Sequence, residues 1–181
     1  MSNLPPDVKN KLGLVQVYTG EGKGKTTAAL GLAFRAVGRG LEVVMVQFLK
    51  PPEDYGEHIS ASRIDNFTIL PLGLDHMASK VPRKEDMEVS EAALAKAEEL
   101  IYSGKYDLVI LDEINVAMSW GLVDADKVLD MLKKRPANIE VVLTGRGAPP
   151  PIIEYADLVT EMRPVKHPFN KGVHARKGIE F

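Results

Sequence analysis

The chain has 181 residues, 45% apolar and 27% charged, with 23 basic against 25 acidic side chains and a formal net charge of −2. That length predicts a single domain able to bury a core, and the charge balance argues against a nucleic-acid partner held by bulk charge. The lack of cysteine excludes disulfides, zinc–thiolate sites, iron–sulfur clusters and a catalytic thiol, while the lack of a long apolar run or a signal-peptide pattern predicts no membrane association and a cytoplasmic location.

Residues 1–12 read as an N-terminal extension. "LGLVQVYTG" (12–20) then predicts a strand ending in a glycine turn, and 26–37 a helix whose Ala28, Ala29, Leu32, Ala33 and Ala36 form a small apolar face. Gly38 and Gly40 stop that helix. "LEVVMVQFL" (41–49) is apolar almost throughout, as a strand covered on both faces should be. After a polar loop, 63–73 predicts a shorter strand, and 83–102 a long helix closed by Gly104. "YDLVILDE" (106–113) is the next buried strand, followed by a helix capped by Asp124 and ended by Pro136. A strand over 139–146, a short helix over 150–155 and a last strand over 156–162 complete the pattern. The alternation predicts an α/β fold, a mostly parallel central sheet with helices on both faces. Ligands in such sheets bind beyond the carboxyl ends of the strands, so Thr19–Thr26, Asp112-Glu113 and Thr144-Gly145-Arg146 should share one edge.

The first of these segments carries the strongest chemistry. "TGEGKGKTT" misses the strict pattern G-x-x-x-x-G-K-[ST] by one letter, because Thr19 stands where the first glycine belongs and Gly20 comes one residue late. The working parts are nevertheless in register between a strand and a helix. Gly20, Gly22 and Gly24 clear side chains from a nest of backbone N–H groups, Lys25 supplies an ammonium, and Thr26 supplies a hydroxyl for Mg²⁺. The segment therefore predicts a P-loop NTPase fold that binds triphosphate. Asp112-Glu113, ending an apolar strand, has the character of an acid pair that holds the magnesium. Arg163, Lys166, His167, Lys171, His174, Arg176 and Lys177 make the segment 163–181 basic, either an anion-binding loop or a solvated tail. Neither an arginine finger nor a water-positioning glutamine stands out, so ordinary ATP hydrolysis lacks its usual parts. The residues alone reach a Mg-ATP-binding α/β enzyme or switch, with no second substrate named.

"TGEGKGKTTAALGLAFRAVGRG", "VQFLK", "LDEIN", "LTGRG", "ADLVTEMRPVKHPF" and "KGVHARKGIEF" stand in order along the chain. Together they resemble the P-loop-type ATP:corrinoid adenosyltransferases, whose loop T-G-x-G-K-G-K-T-T places a threonine where Thr19 stands. The resemblance implies a RecA-like P-loop fold and a transferase of cobalamin biosynthesis or salvage. In that family a Co(I) corrinoid attacks C5′ of ATP and inorganic triphosphate leaves. It implies that Gly20, Glu21, Gly22, Lys23, Gly24, Lys25, Thr26, Thr27 and Arg146 bind the nucleotide. Thr26, Glu113 and Asp112 would hold Mg²⁺, and Lys25, Thr26 and Glu113 would be catalytic. Leu74, His76, Lys166 and His167 would edge the corrinoid. A flavoprotein reductant and a homodimer are further implications. Two departures stand out. Leu74 and His76 in "GLDHMASK" replace the aromatic residues of the family's G-F-T-W-like stretch, and the N-terminal arm is short. A P-loop ATPase or regulatory nucleotide-binding protein that has lost corrinoid chemistry is the alternative, and a small-molecule or nucleoside kinase a third reading.

Overall fold

The computed structural model describes residues 11–53, 55–74 and 81–181. Six strands, β1 (Val15–Thr19), β2 (Val43–Gln47), β3 (Phe67–Pro71), β4 (Leu108–Asp112), β5 (Glu140–Thr144) and β6 (Leu158–Glu161), form one sheet in the order β3-β2-β4-β5-β1-β6. Every pairing is parallel, so the sheet is wholly rather than mostly parallel. β5 lies between the strand that leads into the glycine loop and the strand that ends in the acid pair. The intervening strand sets the separation of those two segments.

The helices are α1 (Lys25–Val37), α2 (Gly56–Ala61), α3 (Lys84–Tyr102), α4 (Ile114–Ser119), α5 (Ala125–Lys134) and α6 (Pro150–Tyr155). β2, β4 and β5 are buried at every residue, because successive side chains enter two different cores. Val43, Met45, Leu108, Ile110 and Val142 pack on one face with Ala29, Ala33 and Ala36 of α1 and Ala61 of α2. Val44, Val46, Val109, Leu111, Val141 and Leu143 pack on the other with α3, α4, α5 and α6. Small alanines let α1 lie close over the sheet, which brings its N-terminus to the strand ends.

Local chemistry fixes the helix ends. The Asp124 carboxylate accepts from the Asp126 backbone N–H at 2.9 Å and starts α5. Arg135 is extended, as a residue before proline prefers, and α5 stops there. Two short helices depart from the sequence expectation. α2 forms inside the stretch read as a polar loop, and α4 begins directly after Glu113. A 3₁₀ turn over Pro168–Lys171 is the third unexpected element. The expected strand over 63–73 narrows to β3, its first residues turning after α2. Among the described residues, no helix is long and apolar enough to cross a membrane.

Candidate active site

β1 continues as a strand through Thr19, which pairs with Glu161, and the turn begins only at Gly20 with φ 94°. The Thr19 hydroxyl accepts the Ala148 backbone N–H at 3.3 Å and so ties this strand end to the loop after β5. A threonine at position 19 thus keeps the strand intact and joins two loops, and the glycine requirement starts one residue later. Gly20 and Gly22 lie against the backbone after β6. A Cβ on Gly22 would stand 2.7 Å from the Met162 carbonyl oxygen, and one on Gly20 2.6 Å from it. The Gly22 N–H donates to that same oxygen at 2.7 Å. These two glycines therefore serve close backbone packing as well as an open loop. Gly24, at φ 120°, turns the chain into α1.

Lys25 is buried, and its ammonium donates to the carbonyl oxygens of Gly20 at 2.8 Å and Gly22 at 2.7 Å. Burial lowers its pKa, the nearby Glu113 carboxylate opposes that, and Arg146 adds to it. At the next residue, the Thr26 hydroxyl donates to Asp112 Oδ1 at 2.8 Å. The Thr144 hydroxyl at the end of β5 donates to the same oxygen at 2.7 Å. Asp112 Oδ2 receives the Gln47 amide at 3.2 Å and stands 3.8 Å from the Lys50 ammonium. The fully buried Asp112 is thus engaged on both oxygens, and the hydroxyl expected to hold a cation is joined to Asp112 rather than to Glu113.

Glu113 follows with φ 64°, a left-handed conformation rare outside glycine, held by its N–H donating to Thr144 Oγ1 at 3.0 Å. Burial, then repulsion from Asp112, pushes its carboxyl up to about 7 against the pull of Lys25, Lys50 and Arg146. Lys50 and Glu57 form an ion pair at 2.6 Å beside Asp112. Burial pulls Lys50 down, but Asp112 and Glu57 outweigh it and hold the ammonium above the ordinary lysine value. Burial likewise raises Glu57, but the Lys50 bond prevails and holds it below the carboxylate range. The donor set of Thr26, Asp112 and Glu113 is all oxygen, which suits a hard cation. Among the described residues no three His, Cys, Asp or Glu side chains converge into a self-sufficient cage.

The 163–181 segment is neither a detached tail nor a purely basic surface. It folds back across the loop, and the Glu180 carboxylate accepts from Lys23 Nζ at 3.0 Å and from the Arg176 backbone and guanidinium. The Arg176 and Lys23 bonds hold Glu180 at about 2. The Phe181 ring stands edge-on to Tyr55, 6.3 Å between centroids. Two of the cavities that this segment lines adjoin the loop. One of about 330 Å³ is lined by Gly22–Thr27, Glu113, Arg146, His167 and Glu180. The other, about 840 Å³, is walled by Leu30, Phe34, Ile64, Phe67, Ile179 and Phe181, with Lys50 and Glu57 also on its lining. Thr26, Thr27, Glu113 and Glu180 belong to both.

The structure thus gathers Gly22, Lys23, Gly24, Lys25, Thr26, Thr27, Glu113, Arg146 and His167 around one cavity. Arg146 reaches Glu21 at 3.4 Å on the exposed rim. Lys166 is exposed and Leu74 half-buried, and neither lines either cavity. His76 lies outside the described residues. Sequence reasoning left Glu57, Glu180 and the apolar wall unassigned. Glu57 sits in a stretch read as loop, and no local pattern announces that residues 34, 64 and 181 meet.

A family model described as ATP:corrinoid adenosyltransferase BtuR/CobO/CobP matches residues 11–181. The corrinoid adenosyltransferase of Pseudomonas aeruginosa is 40% identical over 96% of this chain and 86% of its own length. That of a Sinorhizobium species is 41% identical over 93% of this chain and 80% of its own. That of Escherichia coli K12 is 36% identical over 96% and 88%. In the solved structures, the flagellar accessory protein FlaH from Methanocaldococcus jannaschii superposes with a TM-score of 0.58, covering 86% of this chain and 76% of that one. Its 15% identity makes this a likeness of fold alone. A glycine-rich loop beside a large, mainly apolar cavity agrees with these matches, and the chain belongs to the ATP:corrinoid adenosyltransferase family.

Proposed function

We propose that the smaller cavity takes the triphosphate of Mg-ATP and the larger one the reduced corrinoid, so that transfer occurs at their common wall. The observation that carries this reading is the shared lining: Thr26, Thr27, Glu113 and Glu180 face both volumes. A polyanion and a broad, largely apolar ring system need unlike surroundings, and their reacting atoms must meet where those surroundings touch.

In this reading the Co(I) electron pair forms the cobalt–carbon bond at C5′ while the C5′–oxygen bond breaks. Cobalt becomes formally Co(III), and the electrons of the broken bond leave on inorganic triphosphate. No protein nucleophile or base is required. The chain's residues work by position and charge. The backbone N–H of Gly24, with the ammonium groups of Lys23 and Lys25, receives the phosphates at the N-terminus of α1. Lys25 exchanges its bonds to Gly20 and Gly22 for phosphate oxygens, and Arg146 and His167 close the outer side. Thr26, with Asp112 and Glu113, orients the magnesium, which when bound neutralises the leaving triphosphate. Leu30, Phe34, Ile64 and Phe67 exclude water from the corrin side. Leu74 and Lys166 stay at the corrinoid edge only by resemblance, as does His76. The same resemblance supports a flavoprotein reductant, a homodimer and a cytoplasmic setting.

Product identity tests this directly. Under anaerobic conditions with Mg-ATP and chemically reduced cob(I)alamin, the reading expects light-sensitive adenosylcobalamin and one triphosphate per cobalt–carbon bond. ADP with phosphate, and no cobalt–carbon product, would favour the ATPase alternative and overturn it.

A further inference from the structure

One side chain outside both cavities is tied to the acid pair by an unbroken chain of contacts. His58, half-buried on α2, stands edge-on to the Tyr55 ring with 5.3 Å between centroids. Its Nε2 lies 2.6 Å from Gln47 Oε1, and its Nδ1 lies 2.7 Å from the main-chain oxygen of Glu53. The orientation of the buried Gln47 amide is not arbitrary. Its Nε2 lies 3.2 Å from Asp112 Oδ2 and 3.5 Å from Glu57 Oε1. Turned over, it would point a carbonyl oxygen at two carboxylates. The amide oxygen must therefore face His58, which has to supply a hydrogen on Nε2. Nδ1 faces a second acceptor, the main-chain oxygen of Glu53. Glu57 is the neighbour of His58 on α2, Lys50 is paired to Glu57 and lies 5.3 Å from the centre of the Tyr55 ring, and Asp112 stands beyond Gln47 on β4.

We propose that His58 is a positioning residue: through the Gln47 amide it fixes the Asp112 carboxylate, and through Asp112 the Thr26 hydroxyl. This rests on the reading of Asp112 and Thr26 as the groups that orient magnesium. With His58 in place, Asp112 Oδ2 is occupied by an amide donor, and Oδ1 is held towards Thr26 and Thr144. Without it the amide is free to rotate, and the carboxylate loses its fixed direction. Groups that hold a metal-orienting acid in this way typically change metal affinity or activity by about 10–100-fold when removed.

His58→Phe keeps a ring against Tyr55 and removes both nitrogens, and Gln47→Met keeps volume and removes the amide. Calorimetry of ATP binding without corrinoid should show the magnesium-dependent gain in affinity falling about 10-fold in either variant. Metal-free ATP binding and the corrinoid KM should stay unchanged. The double variant should lose no more than Gln47→Met alone, because both act along one path. Wild-type magnesium dependence in His58→Phe, or additive losses in the double variant, would overturn the proposal. An independent arm needs neither metal nor turnover. Nitrogen-15 NMR of histidine-labelled protein should find a hydrogen on Nε2 of His58, and a bare Nε2 overturns the contact. If the wild type bound ATP with no magnesium dependence at all, the metal-site reading would fail instead, and the NMR arm would still decide the His58–Gln47 contact.

Discussion

Glu113 combines an unfavourable backbone with an unfavourable charge. Its φ of 64° belongs to the left-handed region, and its carboxyl is pushed up to about 7 by burial and by Asp112. A folded-state pKa above the unfolded value favours the protonated form, so stability is lost as pH rises from the ordinary carboxylate range through about 7. Glu113→Gln should therefore be more stable than wild type by roughly 3 kcal/mol above pH 7, since each tenfold shift in proton affinity is about 1.36 kcal/mol. The difference should vanish near pH 4, as urea unfolding at the two pH values would measure, and activity should fall. Lys25 is the complementary case. Burial lowers its pKa, and its two bonds to loop carbonyls repay part of that cost. Lys25→Ala should leave stability within about 1 kcal/mol, while turnover falls by a factor on the order of 10²–10³. Wild-type turnover in that variant would remove the ammonium from the phosphate site.

At the scale of elements, glycines separate positions where backbone approaches backbone from positions that are merely open. Gly31 lies inside α1 with nothing within 4 Å of where its Cβ would be. Gly31→Ala should stabilise the protein by about 0.5–1 kcal/mol. Gly73 follows β3, and a Cβ there would stand 2.5 Å from the Lys50 backbone nitrogen. Gly73→Ala should cost roughly 1–3 kcal/mol as the Leu49–Lys50 backbone is forced aside. Urea midpoints for the two variants should move in opposite directions. The same contrast bears on what could be read from sequence. The strands and long helices were legible, because apolar runs and helical spacing reflect burial directly: β2, β4 and β5 fall inside the stretches expected. The short α2 and α4 were not, since six residues hold too few turns for a periodic signal and neither begins with the prolines that open the equally short α6. Thr19 was legible only as a departure from a pattern. Its role came from two distant partners, Glu161 across the sheet and Ala148 after β5.

Over the whole molecule, the sheet order places the loop, the acid pair and Thr144 at one edge, much as the strand ends in the sequence imply. The second cavity could not be foreseen that way. Its wall joins residues from α1, α2, β3 and the last residues of the chain, and no local spacing encodes that meeting. The 163–181 segment was read by charge as an anion-binding loop or a solvated tail. In the fold its acidic Glu180 matters as much as its basic groups, because it ties Lys23 and Arg176 together over the loop. Phe34 and Ile179 are exposed by 73% and 60% where they border the larger cavity. Exposed apolar groups around a concavity of this size are what a large, flat ligand would cover.

One variant tests whether the two cavities divide the substrates between them. Phe34 is exposed on α1 and borders only the larger cavity, so Phe34→Asp should fold normally. Steady-state kinetics with each substrate varied in turn should give a corrinoid KM raised about 10-fold or more, as expected from losing an apolar contact of about 1.4 kcal/mol or more, with the KM for ATP unchanged. A raised KM for ATP with the corrinoid KM at its wild-type value would contradict the account.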